Sequence, residues 1–390
     1  MDASTTSKSA PPGAPAIREA IEPLRDMVVS SLCLVSEIPG ASGHEFERAQ
    51  FVMDRFREAG LDRISRDQAG NAFGILPGSE GDFNVLAVAH ADTLFSERVD
   101  HTVSVRPDKV HGAGVADNSL GLAAVVSLPA LLEALDIQLR PNLILMASAN
   151  SLGRGDLGGI RYFLESRDIP VSAGVCVEGA ELGRLSYSSL GMLRGQISCR
   201  IEDDEDINRV GPGGAVSILG QVIAGIERIP LPSRPMTRII LGSCQSGVGF
   251  NKLAHSGHLR LEVQGEEIGM VARIRDQILD LIEEIRLRTG VEIELEEIAR
   301  RKAGSTGFRH PITVAIRGVM AELSIEPVVT PSVGDLSALL AENIPAVTVG
   351  ISRRAEIADE HSEAVEIEPI TTGLAQLIAL LTRIDGEAGG

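Results

Sequence analysis

The stretch Asn84-Val-Leu-Ala-Val-Ala-His-Ala-Asp92 decides the fold of this chain. It is a short apolar run without polar alternation that ends in polar residues, which is typical of a strand buried on both faces of a parallel sheet. Three later runs have the same character: Asn142-Leu-Ile-Leu-Met-Ala147, Gly174-Val-Cys-Val177 and Ala346-Val-Thr-Val349. Because helical patterns separate these runs, we expect an α/β domain with a central mixed, mostly parallel sheet.

Four segments around these strands have apolar residues at helical spacing. They are Ile17–Ser36, Glu45–Ala59, Asn118–Leu135 and Ile370–Ile384. Residues 1–16 are rich in Ser, Pro and Ala and lack any such spacing, so a disordered tail is expected there.

The middle of the chain has a different pattern. Leu193–Glu202 and His258–Gln264 alternate as half-exposed strands do, while Gly214–Ile229 and Val271–Thr289 have helical spacing. The order strand, helix, strand, strand, helix, strand is that of a ferredoxin-like α+β domain. We therefore predict an inserted domain at residues 193–306, within a first domain formed by residues 17–192 and 307–390.

Composition excludes several kinds of partner. The 390 residues carry a net charge of −18, which repels nucleic-acid phosphates and anionic lipids. Aromatic residues make up only 3%, too few for base-stacking surfaces. The four cysteines show no paired spacing, the N-terminus has no apolar signal region, and no run approaches the length of a membrane span. We expect a cytoplasmic protein that binds neither nucleic acid nor membrane.

Metal-ligating side chains follow the ends of the predicted strands. His90 ends the first strand, Asp117 lies in a Gly-rich turn before a helix, Glu178 follows the third strand, and His361 lies in a loop past the fourth. Histidine and carboxylate groups are ligands for zinc and manganese, and the carboxyl ends of parallel strands meet at one edge of a sheet. The sequence therefore predicts a metal site.

The ordered set His90-x-Asp92, Asp117, Glu178, Asp335 and His361 resembles the metallohydrolase family of aminoacylase, glutamate carboxypeptidase, acetylornithine deacetylase and tripeptidase. The resemblance begins near Leu32 and implies a zinc-exopeptidase-like domain with an inserted lid and dimerisation domain. In that family His90 and Glu178 would bind one metal, Asp117 would bridge two, and His361 would bind the second. Asp92 would fix the His90 tautomer.

The family's two adjacent glutamates are missing from this chain. The first would be the general base and the second a metal ligand, but Asn150 and Ser151 stand at these positions. We therefore expect a mononuclear site holding one zinc or manganese ion, in which a metal-bound water acts as the nucleophile. His361, freed from a second metal, would accept a proton, stabilise developing charge, or close the site as a fourth ligand. The candidate catalytic positions are Asp92, Asn150 and His361.

The inserted domain also departs from the family pattern. Its usual histidine is absent, and Arg209 or Asn208 is a substitute unless that loop is only a solvated acidic segment. Asn251 matches a family substrate contact. Arg309 and His310 are further substrate candidates, or structural residues at the domain junction.

Three functions remain open on the sequence alone. The first is a one-metal hydrolase of a C–N bond in a small molecule, similar to the family's aryl-amine hydrolases such as 5-nitroanthranilate aminohydrolase. The second is a two-metal peptidase or deacylase whose missing ligand comes from Asp156 or elsewhere. The third is a non-catalytic binding protein, which the retained metal set disfavours. The lid resemblance implies a homodimer.

Overall fold

A computed structural model describes residues 12–81, 83–201, 214–267, 269–356 and 362–384. Its contacts divide the chain into two units, Met1–Ser188 with Ser305–Gly390, and Ser189–Gly304. The insertion expected at 193–306 differs from the second unit by only a few residues at each end.

A six-stranded sheet forms the centre of the first unit. Its strands are β1 (Asp62–Arg66), β2 (Ala72–Leu76), β3 (Asn84–His90), β6 (Asn142–Ser148), β7 (Ala173–Glu178) and β16 (Ala346–Gly350). They are arranged in the order β1-β2-β6-β3-β7-β16. The last four are mutually parallel, and β1 and β2 add to them antiparallel. The prediction of a mixed, mostly parallel sheet is confirmed.

Shorter strands form separate small sheets. They are β4 (Ser104–Val105), β5 (Lys109–Gly112), β8 (Arg184–Leu185), β9 (Ser188–Ser189), β14 (Gly304–Ser305), β15 (Val328–Val329) and β17 (Glu363–Glu366). Strand β17 pairs antiparallel with β5, with Glu363 opposite Gly112. This pairing brings the segment after residue 361 back to the turn that contains Asp117.

The helices of the described residues are α1 (Ala14–Ile21), α2 (Arg25–Ser36), α3 (Phe46–Glu58), α4 (Leu120–Ala134), α5 (Gly158–Ser166), α6 (Gly214–Ile226), α7 (Met270–Thr289), α8 (Pro311–Glu322), α9 (Leu336–Ala341) and α10 (Ile370–Leu381). Helices α6 and α7 belong to the second unit, and the others belong to the first.

The N-terminal region corrects two predictions. The helix expected at Ile17–Ser36 is instead two helices, α1 and α2, joined by a 3₁₀ turn at Glu22–Leu24. Pro23 lies in this turn, and a proline inside a helix has no N–H for the ladder. The tail predicted at residues 1–16 is too long, because α1 begins at Ala14 and buries Ile17 and Ile21.

Helix α4 is apolar on every side. The segment Val115–Ala134 has the length and mean hydropathy, 1.6, of a membrane span, contrary to the expectation that no run approaches such a length. However, 89% of its apolar window is buried inside the protein. A helix that is hydrophobic all round is a core helix when a sheet and other helices cover it, as they do here.

The second unit is the α+β domain that the sequence predicts. Its strands β10 (Gly191–Arg200), β11 (Thr237–Ser246), β12 (Ser256–Gly265) and β13 (Glu292–Arg301) form an antiparallel sheet in the order β11-β12-β10-β13. Apolar side chains of this sheet, including Ile197 and Val263, form a core with Ile218 of α6 and Ile278 of α7. The chain order is strand, helix, strand, strand, helix, strand.

Candidate metal centre

The candidate site lies where two central strands separate. The parallel ladder between β3 and β7 ends at the pair Val88 and Cys176. Each strand then continues for two more residues, β3 to His90 and β7 to Glu178. Asp117 approaches from the turn before α4. The ligand atoms of His90, Asp117 and Glu178 all lie within 4.8 Å of one another.

The ring of His90 is oriented for a metal by its own strand end. Its Nδ1 lies 3.0 Å from the backbone oxygen of Asp92, which can only accept, so Nδ1 carries the hydrogen. The other nitrogen, Nε2, is therefore the free ligand atom, and it lies 3.0 Å from Oδ1 of Asp117. Either a proton or a cation must lie between this nitrogen and that carboxylate.

The Asp92 carboxylate lies beside the Nδ1 side of the His90 ring. Its side chain has no exposed surface, and its Oδ1 lies 3.3 Å from Nδ1 of His90. Oδ2 accepts hydrogen bonds from Ser42 at 2.5 Å and from the backbone N–H of Leu152 at 2.7 Å. Burial opposes its ionisation, but the neighbouring His90 ring and the hydrogen bonds from Ser42 and Leu152 hold its pKa below the ordinary value. A carboxylate behind a ligating histidine fixes the ring's tautomer.

The backbone of Asp117 is held by Glu363. Oε2 of Glu363 accepts hydrogen bonds from the N–H groups of Ala116 and Asp117, both at 3.0 Å. Its other oxygen accepts from Arg354 at 2.7 Å. Sequence reasoning missed Glu363, although its position two residues after His361 is a weak signal that it belongs to the site.

The charges of the site suit a cation. Burial raises the pKa of the Glu178 carboxyl to about 7, and the negative charges of Asp117 and Asp335 add to this effect. Burial opposes charging of His90, but hydrogen bonds to Asp117 and Asp92 raise its pKa well above the ordinary value. One buried imidazole and two half-buried carboxylates that converge are a donor set for zinc or manganese. The residues therefore fit the metal that the sequence predicts.

The positions of the missing glutamates provide no carboxylate. Asn150 adopts a left-handed conformation with φ of 52°, and its Nδ2 donates to the backbone oxygen of Ala69 at 3.2 Å. The Ser151 hydroxyl donates to Oδ1 of Asp335 at 3.4 Å. Asp156, the alternative ligand, is paired with Arg161 at 2.9 Å and does not join the described ligand cluster.

The remaining candidates lie partly outside and partly within the described residues. His361 and Arg209 lie outside the described residues. Asn251 and Arg309 are exposed. His310 caps α8, with its Nδ1 accepting from the N–H of Ile312 at 3.3 Å. This capping contact supports a structural role for His310. Substrate binding by His310, Asn251 and Arg309 stays a prediction.

Metal binding is expected to release protons below neutral pH. A carboxyl with a pKa near 7 is protonated at lower pH, and so is His90, whereas a metal needs both groups deprotonated. Apparent affinity should therefore rise as the pH increases through 7. Calorimetric titration at about pH 6, in buffers of different ionisation enthalpy, should show about two protons released per metal ion. Heats that do not depend on the buffer would contradict this protonation of the site.

The sequence profile of the family described as "Peptidase family M20/M25/M40" matches residues 86–383. No curated protein matches the chain at a significant level of similarity.

Several solved structures share the fold. The di-peptidase Dug1p from Saccharomyces cerevisiae has a TM-score of 0.75 at 12% identity, covering 95% of this chain and 98% of its own. The YXEP protein from Bacillus subtilis, a dinuclear metal-binding peptidase, has a TM-score of 0.65 at 15% identity, covering 93% and 98%. An amidase of the hydantoinase/carbamoylase family from Burkholderia vietnamiensis has a TM-score of 0.68 at 14% identity, covering 92% and 97%.

Proposed function

Because this chain belongs to the peptidase family M20/M25/M40, a family of hydrolases that act on carbon–nitrogen bonds, we propose that it hydrolyses a C–N bond of a small molecule with one divalent metal ion per chain. The observation that carries the proposal is the cluster of His90, Asp117 and Glu178, whose ligand atoms lie within 4.8 Å of one another. Three protein ligands with an open coordination position are the usual arrangement of catalytic zinc sites.

The proposed single metal rests on the chemistry at positions 150 and 151. A second ion would need a carboxylate at Ser151, whose hydroxyl instead donates to Asp335. Asp335 is itself engaged, since its Oδ2 accepts from Ser148 at 2.9 Å. The two-metal alternative is therefore less well supported, although the related YXEP protein is described as dinuclear.

When bound, the metal supplies Lewis-acid activation of water. The chain's own residues supply orientation. The backbone oxygen of Asp92 accepts the Nδ1 hydrogen of His90 so that Nε2 faces the site, and Glu363 holds the backbone of Asp117. Asn150 cannot accept a proton at neutral pH, so we assign the proton acceptor or fourth ligand to His361.

The missing general base bears on the substrate class. Loss of a positioned proton acceptor costs about 10²–10⁴-fold in rate for reactions that need one. Attack on an activated aromatic ring that carries an amino group needs less proton transfer to the leaving group than amide cleavage does. We therefore rank activated aryl amines first and small amides second.

The metal content of the purified protein tests the proposal. We expect close to one zinc or manganese per chain, with chelator-sensitive hydrolysis of an aryl amine or a small amide. Asp156→Asn should leave the metal content unchanged, since Asp156 is paired with Arg161. Two metals per chain would favour the peptidase alternative. Metal without turnover across both substrate classes would favour the non-catalytic binding protein.

We further propose a cytoplasmic homodimer. Among the described residues of the second unit, strands β11 and β13 form the edges of the sheet, and sheet edges are surfaces on which a second copy can pair. All four cysteines are free, as expected of a reducing compartment. Light scattering coupled to gel filtration would give the mass in solution, and a monomer would reject the dimer.

A further inference from the structure

Among the described residues, no strand pairs with the end of β7 on one of its two sides. On its β16 side, Gly350 pairs with Glu178, and the N–H of Ile351 donates to the Glu178 oxygen at 2.9 Å. On its β3 side, the ladder has already ended at Cys176. The backbone groups that flank Glu178 on this side, the oxygen of Val177 and the N–H of Gly179, would be buried without partners if nothing else reached them.

The side chain of Asn118 fills this gap. Its Nδ2 donates to the oxygen of Val177 at 2.8 Å, and its Oδ1 accepts from the N–H of Gly179 at 2.7 Å. One side-chain amide thus makes the two hydrogen bonds that a neighbouring strand would have made. Asn118 is only 1% exposed, so both bonds are shielded from water.

Two glycines allow this close approach. A Cβ atom at Gly121 would lie 2.3 Å from Oδ1 of Asn118, and a Cβ atom at Gly179 would lie 2.5 Å from the oxygen of Ala116. Neither distance is tolerated between real atoms, so the turn that contains Asp117 can pack against the end of β7 only because both positions lack a side chain.

We propose that Asn118 is a positioning residue that fixes the Asp117 carboxylate relative to the Glu178 carboxylate. Asn118 is adjacent to Asp117 in the chain, and it bonds to both neighbours of Glu178. Any shift of the Asp117 turn along β7 must break these two bonds. The inference rests on the proposed function only in that His90, Asp117 and Glu178 bind a metal.

The test uses Co²⁺ as a spectroscopic probe on the full chain. In Asn118→Ala, we expect Co²⁺ affinity to fall by about 10–100-fold, as when other partners of metal ligands are lost. We also expect the visible absorption bands of bound Co²⁺ to change in position or intensity, because the ligand geometry changes. A structural role alone would lower stability without altering this spectrum.

Asn84→Ala is the matched control. Asn84 is a buried asparagine at the opposite end of β3, and its Nδ2 donates to the oxygen of Pro170 at 2.8 Å. This variant loses a comparable buried amide but should keep wild-type Co²⁺ affinity and spectrum. If Asn118→Ala does not fold, Asn118→Ser provides the measurement, because its hydroxyl leaves space for water to satisfy the two backbone groups.

The outcomes separate the two proposals. Weakened binding and an altered spectrum in the Asn118 variants alone support the positioning role. Wild-type binding in these variants, or equal weakening in Asn84→Ala, overturns it while leaving the metal site in place. Failure of the wild-type chain to bind Co²⁺, Zn²⁺ or Mn²⁺ rejects the proposed function itself.

Discussion

Replacement of His90 by alanine is expected to abolish metal binding and hydrolysis together. His90 supplies the one nitrogen ligand of the described cluster, and its Nε2 lies 3.0 Å from the Asp117 carboxylate. Without it, two carboxylates face each other in a half-buried site. Loss of a direct ligand should exceed the roughly 100-fold loss in affinity that follows removal of an outer partner. Metal content after dialysis and calorimetric titration measure the effect.

Two variants serve as controls for His90. His101 is also buried, but its Nε2 bonds to the backbone oxygen of Ser96 at 3.1 Å and it lies outside the cluster. His101→Ala should therefore keep the metal. Asn150→Ala should keep it as well, because the Asn150 amide donates to Ala69. Loss of metal in the Asn150 variant would show that this position contacts the ion after all.

Replacement of Arg48 by methionine should destabilise the first unit by about 3–5 kcal/mol, the usual cost of removing one partner from a buried charge cluster. Arg48 lies on α3 and has no exposed surface. Its Nε donates to the oxygen of Ile38 at 2.7 Å and its Nη1 to that of Ala91 at 3.0 Å. Burial lowers its pKa to about 10, against the opposing effect of the nearby Asp92 and Glu45 carboxylates.

Methionine would fill the space of the arginine stem but leave both carbonyl oxygens without donors. It would also leave Asp92 and Glu45 in the interior without their positive neighbour. Urea unfolding measures the loss. Arg55→Met is the matched control on the same helix, since Arg55 forms an exposed pair with Glu58 and should lose less than about 1 kcal/mol. If Arg48→Met also lost less than about 1 kcal/mol, the stabilising role of the buried charge cluster of Arg48, Asp92 and Glu45 would be contradicted.

The effect of Arg48 should extend to the metal. Its Nη1 holds the oxygen of Ala91, which lies between His90 and Asp92 in the chain. Without this bond the backbone at Ala91 could move, and the hydrogen bond between Nδ1 of His90 and the backbone oxygen of Asp92 would weaken. We therefore expect weaker metal binding in Arg48→Met even at temperatures where the variant is fully folded.

The sequence by itself determined the central strands, and it pointed to His90, Asp117 and Glu178, which the structure brings together as a candidate ligand set. Strand β3 is buried along its whole length, and an unbroken apolar run is the local signature of that environment. His90 and Glu178 end their strands, so their meeting at one edge of the sheet followed from parallel strand order alone. The inserted domain was predictable in the same way, because the alternation of apolar and polar residues in strands and their helical spacing in helices follow which residues are buried.

Tertiary structure alone decided how these candidate ligands are held. Glu363 and Asp117 are 246 positions apart, and their hydrogen bond exists only because β17 pairs with β5. In the sequence, Arg48 is an ordinary charged residue of an amphipathic helix. Only the fold buries it and places its Nη1 against the oxygen of Ala91. Asn118 becomes a substitute strand neighbour only where β3 and β7 separate. Hydropathy patterns encode which residues are buried, whereas the partner of a buried polar group depends on the packing of segments far apart in the chain.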